Sequence, residues 1–255
     1  MILVVDVGNT NTVLGLFRDR QLIRSWRVAT NFSRTEDEYG ILFNNLFSYS
    51  SINSSEIRGM SLACVVPPML DLMVSMAKKY LHLKPLVVGP GIKTGMPIML
   101  DNPREIGADR IVNAVAAYQQ HKQSLVVIDF GTATTFDCVS AKGEYLGGII
   151  APGLQISIEA LFQRASKLPR VEMIRPREVV GKNTVHSMQS GIVYGYLSLV
   201  EGLVSRISHE LQTEPLVIAT GGLAPLIARE TATIDQVDEL LTLDGLLYLY
   251  ELNRS

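Results

Sequence analysis

Cysteine is nearly absent: Cys64 and Cys138 are the only two in 255 residues, far apart and without paired spacing. Neither a disulfide framework nor a cysteine-based zinc site is expected, and a reducing compartment fits. No run of about 18 apolar residues occurs, so no membrane-spanning helix is expected. Neither sign of charge dominates, with Lys plus Arg at 23 against Asp plus Glu at 25. A nucleic-acid partner, which needs clustered positive charge, is therefore not expected. The histidines His82, His121, His186 and His209 form no HExxH pair, and the segment from Gly89 to Gly95 lacks the Gly-Lys-Ser/Thr order of a P-loop. Met1–Asp6 is only briefly apolar and has no basic lead-in, which reads as a first strand and not a signal peptide. The expectation is a soluble, cytoplasmic chain.

What is present suits a sizeable core: hydrophobic residues make up 47% of a chain long enough for one large α/β domain or two fused ones. Strand signals fall at Ile2–Val7, Val13–Phe17 and Gln21–Val28. Thr35-Glu36-Asp37-Glu38 predicts a helix start through a capping box, with extra acid where the helix dipole favours it. Met60–Val66 reads as a buried strand stopped by Pro67-Pro68, followed by a helix over Met69–Leu81 and a strand at Leu86–Val88. Gly89–Pro103 has the composition of a functional or linking loop, and a helix is expected over Ala108–Gln119. The lone Trp26 and the methionines are expected in packing roles.

At Leu125 the opening pattern returns. Val4-Val5-Asp6-Val7-Gly8-Asn9-Thr10 matches Val127-Ile128-Asp129-Phe130-Gly131-Thr132-Ala133, each followed by a β-rich stretch. Two half-length copies predict an internal duplication into two similar lobes, residues 1–115 and 116–255. In the second half come a Gly-rich strand at Tyr145–Gly153, a helix at Leu154–Phe162 and a long helix at Val185–Leu211. The strand Leu216–Ala219 and a C-terminal helix complete it.

A strand ending in Asp-x-Gly puts a carboxylate beside a turn of bare backbone. Gly8 and Gly131 let N–H groups approach an anion, and Thr10, Thr12, Thr132, Thr134 and Thr135 add hydroxyls. Asp6 and Asp129 can hold the cations that neutralise a polyphosphate. One such turn is an ordinary strand ending. Two in register, each with threonines, point to phosphate binding. Thr220-Gly221-Gly222 supplies a third element, whose small residues would let a base or ribose lie against the backbone. In this order the three resemble the nucleotide cleft of the acetate kinase, sugar kinase, Hsp70 and actin superfamily.

A further string, Asp101-Asn102-Pro103-Arg104-Glu105-Ile106-Gly107-Ala108-Asp109-Arg110, sets an acid and a base side by side at a helix start. Such a pair offers a carboxylate for a hydroxyl proton and a guanidinium for an anionic substrate. On charge alone it would be a solvated first-turn pair. The string is, however, similar to the Gly-x-Asp-Arg signature of type III pantothenate kinases. So are the two Asp-x-Gly turns, Gly147-Gly148-Ile149-Ile150-Ala151-Pro152-Gly153, and Gly181-Lys182-Asn183-Thr184 ahead of Ser187-Met188-Gln189-Ser190-Gly191. The resemblance implies an α/β fold of two actin-like, ribonuclease H-like lobes with mixed sheets, flanking helices and an ATP cleft. It implies transfer of the γ-phosphate of Mg-ATP to pantothenate, with Asp109 as general base and Gly107, Ala108, Asp109 and Arg110 binding substrate. ATP would be held by Asp6, Val7, Gly8, Asn9, Thr10, Asn11, Thr12 and Val13 together with Thr132. Asp129 would hold a monovalent cation. Neither phosphate turn carries a lysine, so K⁺ or NH₄⁺ can supply that positive charge beside Mg²⁺. The resemblance also implies a homodimer with a shared site, in which Thr184 reaches the pantothenate of the partner chain. Leu100 stands in the pantothenate pocket where many relatives have tyrosine. Another small-molecule kinase of the superfamily and a non-catalytic regulator are the alternatives; the first lacks the Gly107–Arg110 and Thr184 clusters, and the second has no use for Asp109.

Overall fold

A computed structural model describes residues 1–254, which fall into two compact units. In the first, the opening apolar run forms β1 (Ile2–Val7), flanked by antiparallel β2 (Asn11–Arg18), to which β3 (Gln21–Ala29) adds. Helix α1 (Glu36–Tyr49) starts at the expected capping box: the Glu38 N–H donates to Thr35 Oγ1 at 3.3 Å, and the Thr35 N–H donates to Glu38 Oε2 at 2.7 Å. β4 (Gly59–Cys64) runs parallel to β1. Helix α2 (Pro67–Tyr80) begins two residues before the expected Met69, because the missing proline N–H costs nothing in a first turn. β5 (Leu86–Val87) closes a sheet of order β3-β2-β1-β4-β5, and α3 (Ala108–His121) follows.

The second unit repeats this plan. β6 (Leu125–Phe130), β7 (Ala133–Val139) and β8 (Tyr145–Pro152) form the antiparallel meander. Helices α4 (Leu154–Arg164) and α5 (Thr184–Leu211) precede β9 (Leu216–Thr220), which is parallel to β6. After the short α6 (Ala224–Ala228) comes β10 (Gln236–Val237), and the order β10-β9-β6-β7-β8 matches the first sheet strand for strand. The duplication read from the two Asp-x-Gly turns is therefore a duplication of whole sheets.

Each sheet buries one face under two helices. In the first unit Leu3, Val5, Leu14, Leu16 and Leu62 pack against Tyr39, Phe43, Phe47, Met69 and Met73 of α1 and α2. Trp26 joins that core edge-on to Phe47, with ring centroids 5.6 Å apart. In the second, Val126, Ile128 and Phe136 pack against Ile158 of α4 and Ile192, Val193, Val200 and Val204 of α5.

The C-terminal helix α7 (Leu241–Arg254) departs from the expected division at residue 115. It belongs to the first unit, with Met1–Pro97 and Asp101–Gln119, while Ile98–Leu100 and Gln120–Glu239 make the second. The reason is a second apolar face: the sheet side away from α1 and α2 needs a cover. Gly59 leaves no room for a Cβ beneath the Tyr250 ring, and a Cβ on Gly245 would stand 2.5 Å from the Val112 carbonyl of α3. Thr242 Oγ1 donates to Oδ1 of buried Asn113 at 2.7 Å, tying α7 to the helix whose first turn carries Asp109.

Candidate active site

The first Asp-x-Gly turn leaves β1 at Val7 and enters β2 at Asn11. Half-buried Asp6 sits opposite Val13 on β2 and Ala63 on β4. The Gly8 N–H is used inside the turn itself. That N–H donates to the Asn11 carbonyl at 3.0 Å and closes the turn, leaving exposed Asn9 and Thr10 at its tip. The turn is held from the β3 side as well: the Thr30 N–H donates to the Thr10 carbonyl at 2.9 Å, and Thr30 Oγ1 donates to the Gly8 carbonyl at 2.8 Å. Fully buried Thr12 shares a hydroxyl hydrogen bond with Thr30 at 2.9 Å. Thr30 lies outside every motif, and sequence reasoning missed it. Cys64, which ends β4 opposite Val7, is no nucleophile: burial pushes its thiol up, and the nearby Asp6 charge adds to that.

The second turn is one residue tighter. The Gly131 N–H donates to the Ala133 carbonyl at 3.0 Å, and exposed Thr132 forms the tip. Here the Gly153 N–H donates to the Thr132 carbonyl at 3.1 Å. A Cβ on Gly153 would run into that carbonyl and stand 2.6 Å from the Gly131 oxygen. Gly153→Ala should therefore lower stability by about 1–3 kcal/mol, as overpacking against fixed backbone does. Denaturant unfolding reads this directly, and wild-type stability would mean that the turn has slack. Asp129 is half-buried at the end of β6, opposite Thr220 of β9. Gly221, at φ +90°, approaches it so closely that a Cβ would lie 2.6 Å from Asp129 Oδ1 and 2.8 Å from the Phe130 carbonyl. The bare backbone of Gly221 thus packs tightly against the end of β6, where only glycine lets the chain pass.

At the start of α3, the Ile111 N–H reaches the Gly107 carbonyl at 3.2 Å, which makes Gly107 the cap residue. Asp109 then falls in the first turn, where Oδ1 accepts the Arg110 N–H at 2.8 Å. A Cβ at 107 would stand 2.6 Å from that same oxygen, so a larger residue there would push the Asp109 carboxylate aside. Burial raises the Asp109 carboxyl above the ordinary aspartate value; the Arg110 N–H, the Arg110 guanidinium and its own N–H pull the other way and do not cancel it. The result is a half-buried carboxylate with raised proton affinity, the condition of a general base. Ala108 and half-buried Arg110 complete this turn.

Leu100 lies in the second unit, where the preceding residues add to β8: Ile98 bridges Tyr145, and the Met99 N–H donates to the Tyr145 carbonyl at 2.9 Å. Its side chain covers Gly147, whose Cβ would sit 3.5 Å from Leu100 Cδ2. Thr184 opens α5. Asn183 caps the helix, accepting the His186 N–H at 2.8 Å, and Gly181 packs directly on the Ser187 backbone. Exposed Thr184 lines a groove of about 430 Å³ with Ser157, Leu161, Leu168, Met188 and Tyr196. Among the described residues no group of three or more His, Cys, Asp or Glu side chains could hold a metal ion, and no helix is long and apolar enough to cross a membrane.

Two matching mixed sheets with flanking helices, each with an Asp-x-Gly turn after its first strand, define the actin-like fold. MreB 5 of Spiroplasma citri, solved with AMPPNP, shares it at a TM-score of 0.56 and 11% identity, covering 98% of this chain and 96% of that one. Within that fold, the model of the type III pantothenate kinase family matches residues 2–206. Two proteins named type III pantothenate kinase, from Pelobacter propionicus and Geobacter sulfurreducens, are each 59% identical to this chain and align over 100% of both partners. The chain belongs to the type III pantothenate kinase family.

Proposed function

We propose that the chain is a pantothenate kinase, transferring the γ-phosphate of ATP to the primary hydroxyl of pantothenate to give 4'-phosphopantothenate, the first step towards coenzyme A. The observation that carries this reading is Asp109: a half-buried carboxylate of raised proton affinity, fixed by Gly107 and the Arg110 N–H at a helix start. The names of the full-length relatives supply the substrate.

Asp109 takes the hydroxyl proton, and the freed oxygen attacks the γ-phosphorus in line. The bond from that phosphorus to the β,γ-bridging oxygen breaks, and ADP leaves. Arg110, with Gly107 and Ala108, orients the anionic substrate. The turn from Asp6 to Val13 and the tip at Thr132 hold the phosphates, and Thr220-Gly221-Gly222 gives the base or ribose a flat backbone to rest on. When bound, Mg²⁺ with the nucleotide and K⁺ or NH₄⁺ at Asp129 supply the positive charge that a lysine provides in other kinases. Leu100 forms an apolar wall of the pantothenate pocket, with Thr184 of a second subunit reaching the same pocket. The enzyme works as a cytoplasmic homodimer, a location that suits a chain with only two cysteines.

An ADP-release assay with and without pantothenate tests the activity. Release that does not depend on pantothenate would overturn the reading. The same assay at matched ionic strength tests the cation: activity should be low in Na⁺ and restored by K⁺ or NH₄⁺, and Asp129→Ala should abolish the response. Equal rates in all three salts would remove Asp129 from that role.

A further inference from the structure

The two turns are braced in the same way by a residue that no motif reading assigns to them. In each unit the residue that follows the third strand donates its N–H to the carbonyl just before the second strand: Thr30 to Thr10 at 2.9 Å, and Gly153 to Thr132 at 3.1 Å. The correspondence holds even though the first turn is one residue longer, its closing bond running from Gly8 to Asn11 where the second runs from Gly131 to Ala133. A longer turn has more conformations to lose on becoming ordered. The first unit adds a hydroxyl where the second has none. Thr30 Oγ1 donates to the Gly8 carbonyl at 2.8 Å and pairs with the Thr12 hydroxyl at 2.9 Å. With the Thr30 proton committed to Gly8, the Thr12 hydroxyl is the donor of the second bond. Thr30 therefore ties the first, the middle and the last residues of the segment 8–12 to the end of β3. In the second turn close contact stands in place of the hydroxyl, since Gly153 sits directly on the Thr132 and Gly131 carbonyls.

We propose that Thr30 is a positioning residue for the nucleotide: its hydroxyl holds the first phosphate turn in the shape that receives ATP before ATP arrives. This rests on the reading of residues 6–13 as the phosphate site. Preorganisation of this kind lowers the ordering cost of binding, so its loss appears in nucleotide affinity rather than in affinity for the other substrate.

The test compares Thr30→Val, which keeps the shape and removes the hydroxyl, with Thr30→Ser, which keeps the hydroxyl. Direct ATP titration of the full-length protein should show Kd raised about tenfold in Thr30→Val, which loses the hydroxyl's bonds to Gly8 and Thr12, and within about threefold of wild type in Thr30→Ser. The KM for pantothenate should stay within about twofold in both variants, since the lost contact touches only the nucleotide turn. Amide hydrogen exchange of the ATP-free proteins supplies a readout besides binding: protection across residues 8–12 should fall in Thr30→Val and persist in Thr30→Ser. If Thr30→Val does not fold, Thr30→Ala takes its place in both measurements. Unchanged ATP affinity and exchange in the valine variant would overturn the proposal, as would equal losses for ATP and pantothenate, or a serine variant as impaired as valine. A wild-type protein that does not bind ATP would instead overturn the phosphate-site reading on which the proposal stands.

Discussion

Asp109→Asn lowers kcat by about 10²–10⁴-fold while ATP affinity stays within a few-fold of wild type. The substitution is nearly isosteric, and the amide oxygen can still accept the Arg110 N–H, so the helix start keeps its geometry. What is lost is the basic lone pair that receives the hydroxyl proton. The same environment sets two pH effects. Burial holds the carboxyl above its ordinary value of 3.8, so the acid limb of kcat/KM should lie above 3.8 and disappear in the asparagine variant. For stability, a carboxyl whose pKa is raised by folding contributes most below the unfolded value, and that contribution is lost as pH rises through the folded one. At neutral pH the ionised Asp109 therefore costs stability. Asp109→Asn should melt above wild type at pH 7, and the two should converge as pH falls towards 4. A variant within a few-fold of wild-type activity would remove Asp109 from the base role.

Much of this architecture was legible in the chain because it depends on local chemistry. The Asp-x-Gly turns recur in register, and the two sheets they open share one strand order. The capping box at Thr35 and Glu38 needs only neighbours in sequence. The parts that were not legible depend on partners far along the chain. Thr30 meets Gly8 from 22 residues away, and nothing in its own surroundings marks it. The apolar residues of α7 say that it covers a sheet, and not which one; Gly59 and Gly245 decide that by the close approach they permit. Strand β10 is two residues long and exists only through pairing with β9. The close packing against Asp129 required Gly221 to arrive from the end of β9, although Thr220-Gly221-Gly222 had already been singled out for its small residues.

The long helix α5 buries one side in its own unit and leaves another bare. Ile192, Val193, Val200, Val204 and Ile207 are buried in the core of their own unit, with Tyr196, Leu199 and Leu203 packed against it. The stripe is therefore occupied, and a second subunit would need another face. Gly191, Gly195 and Gly202 supply one. A Cβ on any of them would meet nothing within 4 Å, and with exposed Ser198 they recur at spacings of four, three and four along one side of the helix. Each glycine weakens an isolated helix by about 1 kcal/mol relative to alanine, and close approach of a second helix would offset that. Exposed Val185, Leu161 and Phe162, on or beside the first turns of α5 and along α4, extend the face towards the Thr184 groove.

Mixing two inactive variants then restores activity. Asp109→Asn lacks the base, and Thr184→Arg fills the groove at the start of α5 with a long cation. If each site takes Asp109 from one subunit and Thr184 from the other, a mixed dimer has one site with both lesions and one with neither. Random pairing of equal amounts makes about half of all dimers mixed, so activity should climb towards about a quarter of wild type as subunits exchange. Gly195→Arg, placed on the bare face of α5, should abolish the recovery by keeping the chains monomeric, which sedimentation reads independently of activity. Proven exchange without recovery would put both residues in the site of a single subunit and refute the shared site.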